Sequence, residues 1–259
     1  MRIDRIQSRV AVVTGGTTGI GFETARSLLR SGHRVGVFSQ GEDNVVSAAA
    51  GLSREFGPEN IFARTTDIAD PQAIAAFFAE LKTTWAAPTI LVCNAGISPK
   101  GANGALPFSE IALSEWNGVI SINLTGAMLC CQAVLRDMVE AGFGRIVLVG
   151  SVAARGRPKI AGASYVTSKA ALSGLARALI EPYANHGITV NLVAPGRILT
   201  DMTGPVDRPS NNAALERIPS RRLGKPEEVA ALVAFLAGET AGFINGATID
   251  INGGEIVAP

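Results

Sequence analysis

The chain has 259 residues, of which 47% are hydrophobic and 17% are charged, and its formal net charge is +1. This size and composition fit one large α/β domain or two small ones, with ample apolar material for a core. The balanced charge argues against a surface for nucleic acid. No apolar stretch of signal-peptide type follows the charged N-terminus, and no apolar run approaches the ~20 residues that span a bilayer. We therefore expect a cytoplasmic protein with neither nucleic acid nor a membrane as partner.

Cysteine and histidine residues are few and are not grouped as metal ligands or disulfide frameworks. Cys93, Cys130 and Cys131 form an odd set without framework spacing, which predicts buried, reduced thiols. His33 and His186 lie near predicted helix–strand turns and are interpreted as structural. We expect no metal site.

Short apolar runs alternate with longer helical patterns along the chain. The predicted strands cover residues 10–14, 34–38, 61–65, 89–93, 145–149, 188–193 and 247–251. The predicted helices cover residues 21–31, 43–56, 71–85, 114–141, 164–184 and 226–238.

This βα alternation, with apolar strands, predicts a doubly wound parallel sheet of about seven strands with helices on both faces. No linker or internal repeat interrupts it, so residues 1–259 are expected to form a single domain. Residues 197–220 are rich in Gly, Pro and Asn and follow the end of a strand. Open α/β sheets bind ligands at that edge, which predicts a substrate lid, with a variable surface loop as the alternative.

A glycine-rich turn joins the first predicted strand to the first predicted helix at residues 14–21 (TGGTTGIG). Gly15, Gly19 and Gly21 permit a sharp turn and close approach of a pyrophosphate. The helix that follows offers unpaired N–H groups and the positive end of its dipole. This context, between strand and helix, predicts a dinucleotide site.

A second group of residues carries acid–base chemistry. Tyr165 and Lys169 lie four residues apart and share one face of a predicted helix, which in isolation is also typical of an exposed pair. A phenol titrates near ~10, and a nearby ammonium lowers its pKa, so Lys169 is expected to lower the pKa of Tyr165. Ser151 ends the fifth predicted strand, where it would donate to a substrate oxygen.

These motifs together resemble the short-chain dehydrogenase/reductase family, in order from residue 10 to about residue 254. The resemblance is nearest the 3-oxoacyl-(acyl carrier protein) reductase-like branch, through residues 193–203, 222–228 and 252–254. It implies a Rossmann-type domain that moves a hydride between NAD(P) and a carbonyl or secondary alcohol. It also implies a homotetramer and a catalytic set of Asn123, Ser151, Tyr165 and Lys169, with Tyr165 as the proton-transfer residue and Asn123 holding a water behind Lys169.

The resemblance also implies the cofactor site. Asp67 would contact the adenine, although a simple turn residue is nearly as good an interpretation. Lys169 would bind the nicotinamide ribose, and the Ile198 backbone with the Thr200 hydroxyl would hold the carboxamide. The implied cofactor-binding residues are Gly15, Thr17, Thr18, Gly19, Ile20, Ser39, Gln40, Asp67, Ile68, Asn94, Ala95, Gly96, Tyr165, Lys169, Pro195, Gly196, Ile198 and Thr200.

The end of the second predicted strand bears on the choice of cofactor. Ser39 stands where an acidic residue would favour NAD, so the reason to exclude NADP is removed. Residue 40 is Gln40 rather than arginine, and Thr18 replaces a basic residue that is frequent in NADP-preferring members. The sequence favours NADP and leaves NAD open.

Three departures bear on substrate and assembly. The interval from Ser151 to Tyr165 is one residue longer than is usual in the family, and its loop carries three basic residues. These indicate either an anionic substrate or a solvated face. Gly142 and His186 stand where carrier-protein reductases present arginines, which weakens the assignment to a carrier-protein reductase. Pro182 should kink or end its helix. The three basic residues of the loop are Arg155, Arg157 and Lys159.

Two alternatives remain beside a reductase of 3-oxoacyl thioesters. One is an NAD-dependent sugar or polyol dehydrogenase. The other is a nucleotide-sensing protein that kept the fold and lost the chemistry, since a fold does not fix function. The complete set of four predicted catalytic residues argues against the sensor.

Overall fold

The computed structural model describes residues 8–101, 104–156 and 160–257. Its sheet has seven parallel strands in the order β3-β2-β1-β4-β5-β6-β7. This confirms the Rossmann-type parallel sheet, and every predicted strand is present with ends that differ by at most two residues. The strands are β1 (Val10–Thr14), β2 (Arg34–Ser39), β3 (Ile61–Thr65), β4 (Ile90–Cys93), β5 (Gly144–Val149), β6 (Ile188–Pro195) and β7 (Thr248–Ile251).

Helices cover both faces of the sheet. One apolar core lies between the sheet and α1, α2 and α8, and a second lies between the sheet and α3, α5 and α6. The helices are α1 (Gly19–Arg30), α2 (Glu42–Phe56), α3 (Pro71–Thr84), α4 (Leu113–Ile120), α5 (Gly126–Ala141), α6 (Ala163–Tyr183), α7 (Pro209–Arg217) and α8 (Pro226–Ala237). Strands such as β4, β5 and β6 are buried throughout, because both of their faces are covered.

The order of the strands positions the site. The chain builds outward from β1 to β3 on one side, then returns to place β4 on the other side of β1. The crossover helices therefore leave a crevice at the carboxyl ends of β1 and β4, which is where open α/β sheets bind their ligands.

The long helix predicted at residues 114–141 contains an irregularity that periodicity did not reveal. It runs continuously through α4 and α5, but residues Ser121–Thr125 between them form a π-helical turn. Such turns are rare and occur frequently at functional sites. Asn123 lies within it.

This helix also corrects the statement that no apolar run approaches membrane-spanning length. Leu113–Ala141 spans 29 residues with a mean hydropathy of 1.7 over its most apolar window, enough by length and composition to cross a bilayer. In the fold, Ala127, Val134 and Met138 from this helix are buried in the core beside the sheet. Its apolar character thus has a packing role.

The prediction of an irregular segment at residues 197–220 was wrong in part, because α7 lies within it. Pro209 occupies the first turn of α7, where its missing N–H is not needed. Asn211, in the same helix, is fully buried and donates its Nδ2 to the carbonyl oxygen of Pro205 at 2.6 Å. Whether the segment acts as a lid stays a prediction.

Pro182 is the penultimate residue of α6, so the helix ends one residue after it. A short 3-10 turn, Ala184–His186, then leads into β6. This agrees with the expectation that the proline ends the helix.

Candidate active site

One large cavity of ≈ 450 Å³ lies at the carboxyl ends of the strands. The structure brings all of the predicted cofactor-binding residues to its lining, together with Ser151. Asn123 is the one predicted site residue that does not line it, although its neighbour Ile122 does.

The glycine-rich turn is fixed by contacts that leave no room for side chains. Gly15 and Gly19 have φ angles of +61° and +51°, a region that favours glycine. A Cβ on Gly21 would lie 2.1 Å from the carbonyl oxygen of Gly15 and 2.4 Å from the Asn94 side-chain nitrogen. The same Asn94 nitrogen donates to Gly15 O at 3.0 Å and to Thr14 O at 3.1 Å. The end of β4 therefore holds the turn in place.

The N-terminus of α1 is open to an anion. Thr18, at the N-cap, makes no side-chain capping hydrogen bond, and the first turn of the helix contains no acidic residue. Its first N–H groups and the positive end of its dipole therefore face the cavity without a protein partner for their charge. Together with the glycine contacts, this fits a pyrophosphate at the turn.

Neutral and acidic side chains line the cavity beyond β2 and β3. We call this region, together with the glycine-rich turn beside it, the adenine end. Thr17 donates its hydroxyl to Ser39 Oγ at 2.9 Å. Asp67 accepts from the Ala69 N–H at 2.8 Å and from Gln40 Nε2 at 3.2 Å. Asp67 is therefore both a turn residue and a cavity residue, so the two interpretations of it do not exclude each other.

Tyr165 and Lys169 project from α6 toward the end of β5, where Ser151 lies. Lys169 is almost fully buried, and its Nζ donates to the carbonyl oxygen of Val149 at 2.8 Å. The Nζ atom lies 5.9 Å from the centre of the Tyr165 ring. Burial lowers the pKa of Lys169 to about 8. The Ser151 hydroxyl is hydrogen-bonded to Tyr165 and also accepts from the Ala153 N–H at 3.1 Å.

The expected direction of the Tyr165 pKa is wrong for this state of the protein. Burial raises the pKa of Tyr165, and the hydrogen bond with Ser151 opposes that rise only in part. Desolvation of the phenolate outweighs any effect of the Lys169 charge. The free protein therefore keeps Tyr165 protonated, the form that can donate a proton.

Asn123 acts on the backbone beside the cavity. Its Oδ1 accepts from the Ile97 N–H at 2.8 Å, and its Nδ2 donates to Ile97 O and to Ser168 Oγ, each at 3.0 Å. Both amide protons are thus used inside the protein. The water expected behind Lys169 therefore has to be held by other atoms of Asn123 than its Nδ2.

Gly96 occupies a tightly packed position where β4 leads into the cavity. A Cβ at this position would lie 3.1 Å from Lys169 Nζ and 3.2 Å from Asn123 Oδ1. The residues before it are anchored by Thr14, whose hydroxyl oxygen accepts from the N–H groups of Asn94 and Ala95. The Asn-Ala-Gly segment thus connects the glycine-rich turn to the Lys169 region.

Thr203 was missed by sequence analysis and organises the strand-like segment after β6. Its hydroxyl accepts from the Thr200 N–H at 2.9 Å and lies 2.9 Å from the carbonyl oxygens of Ile198 and Thr200. Ile198 also pairs with Gly224 in an isolated parallel bridge. These bonds fix the backbone that was predicted to hold the carboxamide.

The basic loop after Ser151 does not supply charge to the cavity through Arg155. That side chain forms an ion pair with Asp250 at 2.8 Å and does not line the cavity. Arg157 and Lys159 lie outside the described residues. Lys100, Arg197 and Arg217, which sequence analysis did not single out, line a different part of the cavity. We call this part the substrate side.

None of the cysteines and histidines lines the cavity. Cys93, Cys130 and Cys131 are free and buried, as expected, and burial contributes to raising the pKa of Cys93 and Cys130. His33 is buried against the Arg9 backbone, and burial lowers its pKa. Within residues 8–101, 104–156 and 160–257, no group of three His, Cys, Asp or Glu side chains could hold a metal ion. A metal-free reaction stays a prediction.

Comparison with known proteins places the chain among nucleotide-dependent reductases and dehydrogenases. A family model described as enoyl-(acyl carrier protein) reductase matches residues 15–255. The chain is 36% identical over 248 residues to the 3-oxoacyl-(acyl-carrier-protein) reductase MabA of Mycobacterium bovis, covering 95% of this chain and 92% of that protein. It is 39% identical over 251 residues to the cis-4-hydroxycyclohexanecarboxylate dehydrogenase of Sinomonas cyclohexanicum, covering 95% and 96% respectively.

The fold is also similar to that of a solved reductase structure. The crystal structure of a 3-oxoacyl-(acyl-carrier protein) reductase from Brucella melitensis superimposes with a TM-score of 0.91 at 31% identity, covering 98% of this chain and 93% of that one. The similarity extends over the whole sheet, including the strands that carry the cavity.

Proposed function

The chain belongs to the short-chain dehydrogenase/reductase family and is an NAD(P)-dependent oxidoreductase, and on that premise we propose that it reduces the carbonyl of a 3-oxoacyl-type compound. One observation carries the proposal. Ser151, Tyr165 and Lys169 line the same cavity as the glycine-rich turn, so a dinucleotide held at the turn and a substrate oxygen at Tyr165 share one space.

We assign the following roles to the residues of the cavity. The glycine-rich turn and Lys169 would hold the dinucleotide, whose nicotinamide would supply the hydride for the carbonyl carbon. Tyr165, which burial keeps protonated, donates its hydroxyl proton to the oxygen that gains the charge. Ser151 donates a hydrogen bond to the same oxygen. Lys169 binds the ribose beside it, and its positive charge stabilises the phenolate that remains.

Asn123 is a positioning residue in this proposal. Through Ile97 and Ser168 it fixes the backbone on one side of the cavity and the helix that carries Lys169 on the other. The water proposed behind Lys169 would complete the path by which Tyr165 regains its proton from solvent.

The direct test is Tyr165→Phe, which keeps the ring and removes the proton donor. We expect turnover to fall by about 10³-fold, within the range that acid–base groups contribute, while the dissociation constant for the cofactor stays unchanged. The matched control is Tyr183→Phe at the far end of the same helix, which should keep full activity. Substantial residual turnover in Tyr165→Phe would overturn the assignment.

The substrate class is tested by nicotinamide absorbance with a panel of compounds. One arm uses 3-oxoacyl thioesters with NADPH and NADH, and the other uses sugars, polyols and hydroxy acids with NADP⁺ and NAD⁺. Faster reduction of the thioesters supports the proposal. Preference for sugars or polyols would assign the alternative dehydrogenase activity instead, and inactivity of every pair would favour the nucleotide sensor.

We further propose NADP(H) as the preferred cofactor. Ser39 and Gln40 present a hydroxyl and an amide to the cavity, so no carboxylate at the end of β2 repels a 2′-phosphate. Asn44 lines the same end with a neutral amide, and Thr17 and Gln40, which donate to Ser39 and Asp67, are also neutral. NAD(H) remains the competing cofactor, and the ratio of the two dissociation constants decides between them.

Exposed apolar side chains support the proposal of a homotetramer. Phe108 and Leu113 are 76% and 73% exposed at the start of α4, while Phe235 and Phe243 are 49% and 103% exposed near α8. Two separate apolar regions can form the two kinds of contact that a closed tetramer needs. Sedimentation should give four times the chain mass, and a monomer would contradict it.

The three free thiols fit the reducing cytoplasm, where we place the enzyme.

A further inference from the structure

The substrate side of the cavity carries an excess of positive charge. Lys100, which follows β4, and Arg197, which follows β6, both line it. The charges of Arg197 and Arg208 lie near enough to Lys100 to contribute to lowering its pKa, after the larger effect of burial. We call Lys100 and Arg197, the two that line the cavity, the basic subsite. It lies across the sheet from the adenine end, because β4 and β6 are on the opposite side of β1 from β2 and β3.

Within the described residues, Lys100 has no hydrogen-bond or ion-pair partner. Its side chain is half-buried. A cation that has lost part of its hydration and faces two further cations is unfavourable unless an anion joins it.

Arg197 is held in place by the segment after β6. Its guanidinium donates to Asn211 Oδ1 at 2.7 Å and to Ser210 Oγ at 3.2 Å. All of these partners are neutral, so they orient the guanidinium without cancelling its charge. The charge therefore stays at the wall of the cavity.

Glu255 carries a negative charge near Arg197, so the acidic groups nearby offset the charge of the basic subsite only in part. Glu255 lines the cavity but pairs with Arg217 at 3.3 Å. Asp201 also lines it, but this residue is exposed to solvent, where its charge is screened. Apolar side chains lie beside the same space, including Ile97 and Met202, which are 37% and 49% exposed. The lining thus suits a molecule with a short apolar body and an anionic end.

We propose that Lys100, with Arg197 behind it, binds a carboxylate or phosphate group of the substrate while the carbonyl faces Tyr165. The inference rests on the proposed function and adds to it the class of substrate: an oxo compound that carries an anion a few bonds from its carbonyl. Lys100 is a specificity-determining residue in this arrangement and takes no part in proton transfer.

The test compares each anionic compound with a neutral counterpart. The carboxylate pair is 3-oxobutanoate and its methyl ester, and the phosphate pair is hydroxyacetone phosphate and hydroxyacetone. For each pair the ratio of kcat/KM, anion over neutral, is measured in the wild type and in Lys100→Met. We expect the ratio to fall about tenfold in Lys100→Met, the size of one charge-assisted hydrogen bond, and Lys100→Arg to restore it.

The matched control is Lys82→Met, which removes a lysine that pairs with Asp137 on the surface and lies away from the cavity. It should leave both ratios unchanged. A fall in the carboxylate pair alone assigns a carboxylate, and a fall in the phosphate pair alone assigns a phosphate. Unchanged ratios in both pairs overturn the inference and leave the proposed function standing.

A binding measurement tests the subsite even if the proposed function is wrong. If the wild type reduces none of the four compounds, the subsite is judged by calorimetry of 3-oxobutanoate and hydroxyacetone phosphate binding to the protein with NADPH. A dissociation constant about tenfold higher in Lys100→Met for either anion supports the subsite without the reaction. Equal constants in both proteins reject it.

Discussion

The adenine end and the substrate side of the cavity differ in which atoms hold them together. At the adenine end the glycine-rich turn is held through its backbone atoms: Gly15 donates its N–H to Phe38 O at 2.9 Å, and the Asn94 side chain donates to the carbonyls of Thr14 and Gly15. On the substrate side, side chains hold the wall. Arg197 bonds Asn211, and Asn211 in turn bonds the carbonyl of Pro205.

The difference shows how one fold can keep its cofactor and change its substrate. A wall made of backbone contacts permits almost no substitution, because the contacts depend on the absence of side chains. A wall held by side chains changes whenever those side chains change. The three predictions that follow probe this comparison, from the largest expected effect to the smallest.

Gly21→Ala should break the adenine end. Its Cβ would lie 2.1 Å from the carbonyl oxygen of Gly15, so the turn or α1 must move. We expect the free energy of unfolding to fall by about 3 kcal/mol, as for severe overpacking, and cofactor affinity to be lost. Chemical denaturation and calorimetry with NADPH measure the two effects.

The control for that variant is Gly118→Ala in α4, where an added Cβ meets nothing within 4 Å. It should be neutral or stabilise the helix by up to about 1 kcal/mol. If Gly21→Ala unfolds no more easily than Gly118→Ala, the adenine end is not the rigid wall described above.

Lys169 lies where the two sides of the cavity meet, and its titration should be visible in stability. Its pKa is about 8 in the folded protein and near its ordinary value of 10.5 when unfolded. Between these values the unfolded chain binds the proton and the folded protein does not, so the free energy of unfolding rises with pH. Relative to Lys169→Met, wild-type stability should rise by on the order of 2 kcal/mol from pH 8 to pH 10.

The measurement has to be a difference between the two proteins, because buried thiols titrate in the opposite direction. The pKa values of Cys93 and Cys130 are raised in the fold, so above their ordinary value these groups destabilise both proteins. Urea denaturation of wild type and Lys169→Met at several pH values gives the difference. A difference that does not change with pH would contradict the assignment of a depressed Lys169 pKa.

Ser39→Asp should have the smallest effect, because it alters one side chain of the adenine end and leaves the backbone contacts of the glycine-rich turn in place. The carboxylate would repel a 2′-phosphate, so the dissociation constant for NADPH should rise about tenfold while that for NADH stays the same or falls. Ser39→Ala, which adds no charge, is the control. Tighter binding of NADH than NADPH by the wild type would contradict the proposed preference at the outset.

The sheet and the glycine-rich turn were predictable because they depend on local pattern. A strand buried on both faces, such as β4, is apolar throughout. Gly15, Gly19 and Gly21 all belong to one short turn, so their spacing can be recognised locally. The relative positions of Ser151 and Tyr165 could also be anticipated, because each lies next to or within a regular element that the fold places at the cavity.

The substrate side could not be predicted in this way. Lys100 lies in a connection without periodicity, and nothing in its sequence neighbours indicates that Arg197, almost a hundred residues later, lies beside it. Arg155 has the positive charge that was expected at the cavity, but it forms an ion pair with Asp250 on β7 instead. Likewise, the raised pKa of Tyr165 depends on burial, which spacing along a helix does not reveal.

The π-helical turn at Ser121–Thr125 changes which side chains of the long helix face inward before and after it. An α-helix advances about 100° per residue, so the extra residue in a π turn rotates everything after it by about that angle relative to everything before it. α4 and α5 therefore share one axis and have two different phases. A single 3.6-residue repeat drawn through both assigns inward and outward faces correctly to one half of the helix and wrongly to the other.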